Sequence, residues 1–160
     1  MKYSLYILFV FLLLANGCDK GLAPPPPQEV TSLSGSVHFT GEFPPCDSVR
    51  ILAVVLSRRA APFSVGDIIA EYNKTIFIAQ LAPCSFKDTS FSFTLKPGLY
   101  NYLGVAQNYG DSLLKDWRIV GFAHDALDSA IHFDLKTGDH PSNIILRVRF
   151  DSLSRQPFIK

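Results

Sequence analysis

A chain of 160 residues, 48% of them apolar and 18% charged, has room for one ordinary domain, and that composition excludes disorder along its whole length. Its formal charge is +1, and removing Lys2 with a leader leaves basic and acidic side chains equal in number. A neutral domain without Lys/Arg runs offers no electrostatic footprint for nucleic acid or for acidic lipid.

The first seventeen residues differ in kind from the rest. After Met1-Lys2, the segment Leu5 to Ala15 is almost unbroken hydrocarbon, with polar character only at Ser4 and Tyr6 near its start. As a helix it rises roughly 16 Å, about half of a ~30 Å hydrocarbon core, so residues 1–17 read as a signal peptide rather than a membrane span. The junction Ala15-Asn16-Gly17-Cys18 resembles the lipobox of bacterial lipoproteins, in which small residues precede a cysteine that is diacylated on sulfur and becomes the new N-terminus. The resemblance implies a lipid at Cys18. It departs from the pattern at Ala15, where a branched apolar residue is expected, and at Asn16, where a small one is. An ordinary signal peptidase would also accept Ala15-x-Gly17 and leave Cys18 as a free N-terminal thiol.

Context favours the lipid, because residues 18–33 form a low-structure tether carrying Pro24-Pro25-Pro26-Pro27. Four prolines hold polyproline II, roughly 3.1 Å per residue, and keep a domain off a surface. Several acyl chains anchor stably where a single one is marginal. The expected address is the cell envelope, with the outer membrane preferred to the inner and Cys18 as the anchor.

From Gly35 the dominant period is two, the mark of strands with one wet and one dry face. Gly35 to Thr40 turns Val37 and Phe39 one way and Ser36, His38 and Thr40 the other. Val49 to Leu56 is nearly continuous hydrocarbon, as in a strand covered on most of its length in the middle of a sheet. Ser64, with Asp67 three residues on, predicts the start of a short helix with Val65, Ile68, Ile69 and Tyr72 on one face, suited to covering an open sheet edge. Thr75 to Leu81 follows as a strand, then Ser90 to Leu95 with Phe91, Phe93 and Leu95 inward.

Leu95-Lys96-Pro97-Gly98-Leu99-Tyr100 predicts a type II turn, since proline presets the second position and glycine accepts the positive φ of the third. Phe91 to Leu95 should then fold back as a hairpin on Tyr100 to Ala106. Trp117 to Ala123 and Ser129 to Leu135, the latter with Ile131, Phe133 and Leu135 inward, come next. The pattern is clearest in Asn143 to Phe150, where Ile144, Leu146, Val148 and Phe150 face the core. A one-residue slip there would bury Arg147 and Arg149. Eight short strands separated by turn residues argue for a sandwich or barrel over residues 34–151, with 152–160 as a tail.

Gly35-Ser36-Val37-His38-Phe39 and, later, Phe91-x-Phe93-x-Leu95-x-Pro97-Gly98-x-Tyr100 resemble the carboxypeptidase-regulatory-like and transthyretin-like (prealbumin-like) β-sandwich group, over roughly residues 35–150. The resemblance implies an all-β, Greek-key sandwich of seven or eight strands, also Ig-like in outline, and a role in binding, adhesion or assembly; it carries no catalytic residue. Some related domains are sealed by a Lys–Asn isopeptide bond, but no Lys stands in the first strand here, and that chemistry is rejected.

Three cysteines leave one odd, and a lipid on Cys18 resolves this by leaving Cys46 and Cys84 as a pair. Each follows a proline at a strand edge. A disulfide closing that loop would contribute roughly 4 kcal/mol in the chain-entropy model; the alternative is two separate thiols.

Chemistry is sparse. No Cys-x-x-Cys or His-x-x-x-His spacing predicts a metal, and no cofactor motif is present; His38 and His132 read as polar-face strand residues, and His124 and His140 as loop residues. There is no Gly-x-Ser-x-Gly elbow and no glycine-rich phosphate loop. Acids for sugar hydrolysis would have to come from Asp67, Glu71, Asp111, Asp116 or Asp125, all outside the expected strands, where solvated acids are ordinary. Binding has better material: Asn108-Tyr109-Gly110-Asp111-Ser112 is a polar loop, and Trp117 lies close behind. Tyr109, Asp111 and Trp117 are therefore candidate contacts for a sugar or peptide, although Trp117 alternates with Ile119 and also suits a core. The expected function is a non-catalytic, lipid-anchored module that engages an envelope protein. A carbohydrate-binding accessory lipoprotein contacting a polysaccharide is the alternative, and a hydrolase ranks third.

Overall fold

Period-two alternation becomes extended chain throughout a computed structural model that describes residues 29–60, 64–82, 88–113, 115–127 and 129–152. The leader, Cys18, the four prolines, Cys84 and all but the first residue of the tail lie outside the described residues. Nine strands form among the described ones: β1 (Thr31–Thr40), β2 (Ile51–Ser57), β3 (Ile76–Leu81), β4 (Thr89–Leu95), β5 (Gly98–Tyr100), β6 (Tyr102–Asn108), β7 (Trp117–Phe122), β8 (Phe133–Leu135) and β9 (Ile144–Arg149), with one helix, α1 (Val65–Glu71). No described helix is long and apolar enough to cross a membrane.

The strands build an all-β sandwich. One sheet has the order β4-β1-β9 and the facing sheet β3-β2-β6-β7, while β5 and β8 form a separate small pair. β1 runs antiparallel to β4, with Leu33 opposite Phe93, and parallel to β9, with Val37 opposite Leu146. The inward residues of both sheets make one core: Leu33, Val37 and Phe39 of β1, Phe91, Phe93 and Leu95 of β4, and Leu146 and Val148 of β9 meet Leu52, Val54 and Leu56 of β2 and Leu103 and Val105 of β6. β2 sits inside its sheet and is buried along nearly its whole length, as its unbroken apolar run predicts. In β9 the expected register holds, with Leu146 and Val148 buried and Arg147 and Arg149 exposed.

α1 starts where expected. Ser64 Oγ accepts from the Asp67 N–H (3.1 Å) and Asp67 Oδ2 accepts from the Ser64 N–H (2.7 Å), a reciprocal capping box. The Ser64 N–H, the Arg59 guanidinium at 2.6 Å and the Ser64 hydroxyl, in that order, hold the Asp67 carboxyl below the usual carboxylate range. The helix does not cover an edge. Ile68 packs against a second cluster, Val55, Ile76, Tyr102, Ala106, Ile119 and Phe122, on the outer face of the four-stranded sheet. That face is itself apolar and needs cover more than the edge does.

Four expectations about strands are corrected. Phe91–Leu95 does not form a hairpin with the segment after Pro97-Gly98: β4 pairs with β1, and β6 pairs with β2 and β7 in the opposite sheet. The turn carries the chain between sheets, through β5, which pairs with β8. Tyr100 to Ala106 is therefore two strands, broken at Asn101, whose N–H donates to Ser57 O (2.8 Å) and whose side-chain amide donates to Arg58 O (2.6 Å). Ser129 to Leu135 is a strand only over its last three residues, and Ile131 is exposed, because a bridge between His124 and Ala130 sets the loop and turns Ala130 to the outer cluster. At the other end, the expected tether 18–33 ends early: β1 begins at Thr31, ahead of Gly35, because Thr31 and Leu33 are buried in the sheet against β4.

Gly35 sits opposite both Phe91 and Ile144, and a Cβ there would lie 2.1 Å from the Ile144 carbonyl oxygen and 2.9 Å from Phe91 Cζ. A backbone carbonyl in a sheet ladder cannot swing away as a side-chain tip can. Gly35→Ala is expected to cost about 1–3 kcal/mol, the usual cost of overpacking, read as a lower urea midpoint beside an exposed control, Ser92→Ala. Equal midpoints for the two variants would show that β1 and β9 separate freely.

Candidate functional site

The outer face of the four-stranded sheet carries an apolar groove of about 280 Å³. Its floor follows from residue size: Ala53 of β2 and Ala106 of β6 are direct cross-strand partners, so the sheet is lowest where two methyl groups meet. Larger side chains make the walls, Ile78 and Trp117 from the flanking strands, Ile68, Ile69 and Tyr72 from α1 and its C-terminal cap, and Leu113 from the β6–β7 loop. Ile69, Tyr72 and Leu113 are 58%, 50% and 57% exposed, an unusual convergence of large apolar groups on one opening. Trp117 is fixed by its indole N–H, which donates to Leu113 O at 2.7 Å, and this bond also holds Leu113 at the rim.

Of the three candidate contacts read from the loop, only Trp117 lines this groove. Its neighbour Arg118 points to the opposite face of the sheet, where its Nε donates to the buried Gln107 Oε1 (2.8 Å) and its guanidinium lies 5.2 Å from the centre of the Tyr109 ring. Tyr109 and Trp117 thus occupy opposite faces and share no platform. Asp111 is paired with Arg50, and at 95% side-chain exposure that ion pair adds little to stability. The loop is ordered from within, by Asp116 Oδ2 accepting from the Ser112 N–H (2.8 Å) and the Asn108 amide donating to Ser112 O (3.0 Å).

The acids considered for hydrolysis are each engaged locally. Glu71 accepts from Thr75 Oγ1 (3.1 Å), and the N–H groups of Ser129 and then Leu127 hold the Asp125 carboxyl below its usual range. His38 Nδ1 meets Asp88 Oδ2 at 2.7 Å and His140 Nδ1 meets Ser32 Oγ at 2.8 Å, on separate parts of the molecule. Among the described residues no three His, Cys, Asp or Glu side chains are grouped to hold a metal. Cys46 is exposed in a 3-10 turn, Cys46–Ser48, just before β2.

A second concavity has no counterpart in the sequence pattern. A cleft of about 790 Å³ is lined by Arg58, Lys74 and Lys96 over Val30, Phe77 and Leu95, with Glu29 and Asn73 at its margin and Thr94 alongside. The cations come from the end of β2, the α1–β3 turn and the end of β4, far apart in the chain. Nothing in local spacing could have found them. Arg58 is held by its Nη2, which donates to Lys96 O (2.8 Å), Pro97 O (3.0 Å) and Tyr100 Oη (2.9 Å), while the guanidinium lies 4.7 Å from the centre of the Tyr100 ring. Tyr100, fully buried, donates its hydroxyl proton to Lys96 O at 2.7 Å. Arg58 and Tyr100 together occupy the carbonyls of the crossover and hold it in place.

No protein-family model, curated protein or solved structure matches this chain. Tyr100→Phe removes a buried donor and one of the acceptors of Arg58 without changing ring volume. It is expected to cost about 1 kcal/mol, measured by thermal or urea unfolding. A variant as stable as the parent would show that Arg58 alone secures the crossover.

Proposed function

We propose that this chain is a lipid-anchored protein of the cell envelope whose sandwich serves as a non-catalytic docking module, receiving an apolar segment of an envelope protein in the groove over Ala53 and Ala106. One observation carries the reading: three large apolar side chains, Ile69, Tyr72 and Leu113, stay exposed around a floor built from two small ones. On a folded domain such a patch marks an interaction surface. The address comes from the leader, from Cys18 and from the proline-rich tether. The likeness to transthyretin-like sandwiches points the same way, toward binding or assembly, and the separation of Tyr109 from Trp117 makes the groove a better docking surface than a sugar platform.

A Cys46–Cys84 disulfide belongs to the same reading. β2 and β3 are antiparallel neighbours with Leu52 opposite Leu81; in the sequence Cys46 precedes β2 and Cys84 follows β3. Export past the inner membrane allows such thiols to oxidise.

Metabolic labelling with a palmitate analogue should mark the wild-type protein and leave Cys18→Ser unmarked; an unmarked wild type would remove the anchor. In cells, a photo-crosslinking residue at position 113 should trap an envelope protein and lose it on Ile69→Lys, whereas the same residue at position 92, on the polar sheet face, should trap none. Equal trapping at both positions would remove the groove as the docking surface.

A further inference from the structure

We infer that the cleft of Arg58, Lys74 and Lys96 binds the phosphate of an anionic phospholipid head group and thereby sets which end of the sandwich rests on the membrane; this builds on the lipid anchor proposed above. Among the described residues none of the three cations is paired with a carboxylate, and the lining holds a single acid, Glu29, whose Oε2 accepts from Thr137 Oγ1 at 3.2 Å. Three positive charges against one negative, within one concavity, concentrate an anion there although the whole chain is near neutral. Arg58 is a fixed charge, pinned by the crossover carbonyls, while Lys96 and Lys74, whose ammonium donates to Ala70 O at 3.3 Å on the exposed side, carry long stems that let both close on a phosphate from the sides.

The apolar part of the lining argues for a lipid over a free ion. Val30, Phe77 and Leu95 lie among the cations, so the cleft offers hydrocarbon beside charge, as the boundary between head group and glycerol does. Placement argues further. Glu29 and Val30 are the residues through which the chain runs from Cys18 into β1, so the cleft lies where the tether joins the domain. Ten residues lie between Cys18 and Glu29, and the eleven residue steps place the cleft at most about 40 Å from the anchor even if that stretch were fully extended. Cations held that close to a bilayer meet anionic head groups at high effective concentration.

The test uses the chain from residue 18 onward as Cys18→Ser, which retains every described residue and carries no acyl chain. It is sedimented with vesicles of phosphatidylcholine alone and of phosphatidylcholine with phosphatidylglycerol. Binding to the anionic vesicles should exceed binding to the neutral ones on the order of tenfold and weaken with salt. Lys74→Gln/Lys96→Gln should abolish the excess with no change in thermal midpoint, while Lys115→Gln should retain it. Inorganic phosphate at millimolar concentration should not compete. Competition by free phosphate, or calorimetric phosphate binding without any vesicle preference, would assign the cleft to a soluble anion and overturn the lipid; equal binding to both vesicle types with no phosphate binding would overturn the site itself. Because the vesicles report on an unlipidated chain and palmitate labelling reports on Cys18, failure of the cleft and failure of the anchor give different results.

Discussion

Leu33 and Val37 have no exposed surface because β1 is the central strand of a sheet packed on β2 and β6, flanked by two strands distant from it in the chain, β4 antiparallel on one side and β9 parallel on the other. Neither flanking strand has another long partner in that sheet. Hydrogen bonding of both therefore depends on β1, and the apolar row facing β2 and β6 is assembled only when all three are in place. Gly35 is part of this constraint, since the Ile144 carbonyl occupies the space a side chain would need. The remaining features are arranged around the resulting two-layer core.

Closing one face of the four-stranded sheet on the core leaves the other face with its own hydrocarbon, Val55, Ala106, Ile119 and Phe122, and only seven residues of helix to cover it. Coverage is partial. The groove over Ala53 and Ala106 is what remains open between α1 and the β6–β7 loop, with rigid strands beneath it and Trp117 as a fixed wall. The basic cleft has another origin: the chain crosses between sheets after β4, Arg58 ties that crossing down, and Lys74 and Lys96 stand close by because the α1–β3 turn and the end of β4 meet there. In the proposed reading the two concavities have separate tasks, the cleft near the tether meeting lipid and the groove meeting protein.

Local rules read the capping box at Ser64 and Asp67 correctly, because both partners lie within one turn and compete with nothing distant. They also read β9, where Arg147 and Arg149 make the wrong register costly. They misread Pro97-Gly98. The dipeptide does turn the chain, with Gly98 at φ +139°, but whether a turn makes a hairpin depends on which strands stand ready on either side. β4 was already matched to β1 and Tyr102 to Ser57 of β2, so the turn became a crossing.

Alternation of apolar and polar side chains was enough, taken alone, to establish that this chain is all-β, a sandwich or a barrel, with a helix at Ser64, since strand period and helix capping are set by residues near one another. Strand order, the parallel pairing of the first and last strands, the opposite faces of Tyr109 and Trp117, the alanine floor of the groove and the gathering of Arg58, Lys74 and Lys96 were decided only by the tertiary structure. Each of those depends on which distant segments pack together, and that choice follows from filling a shared core, a quantity that no short stretch of residues contains.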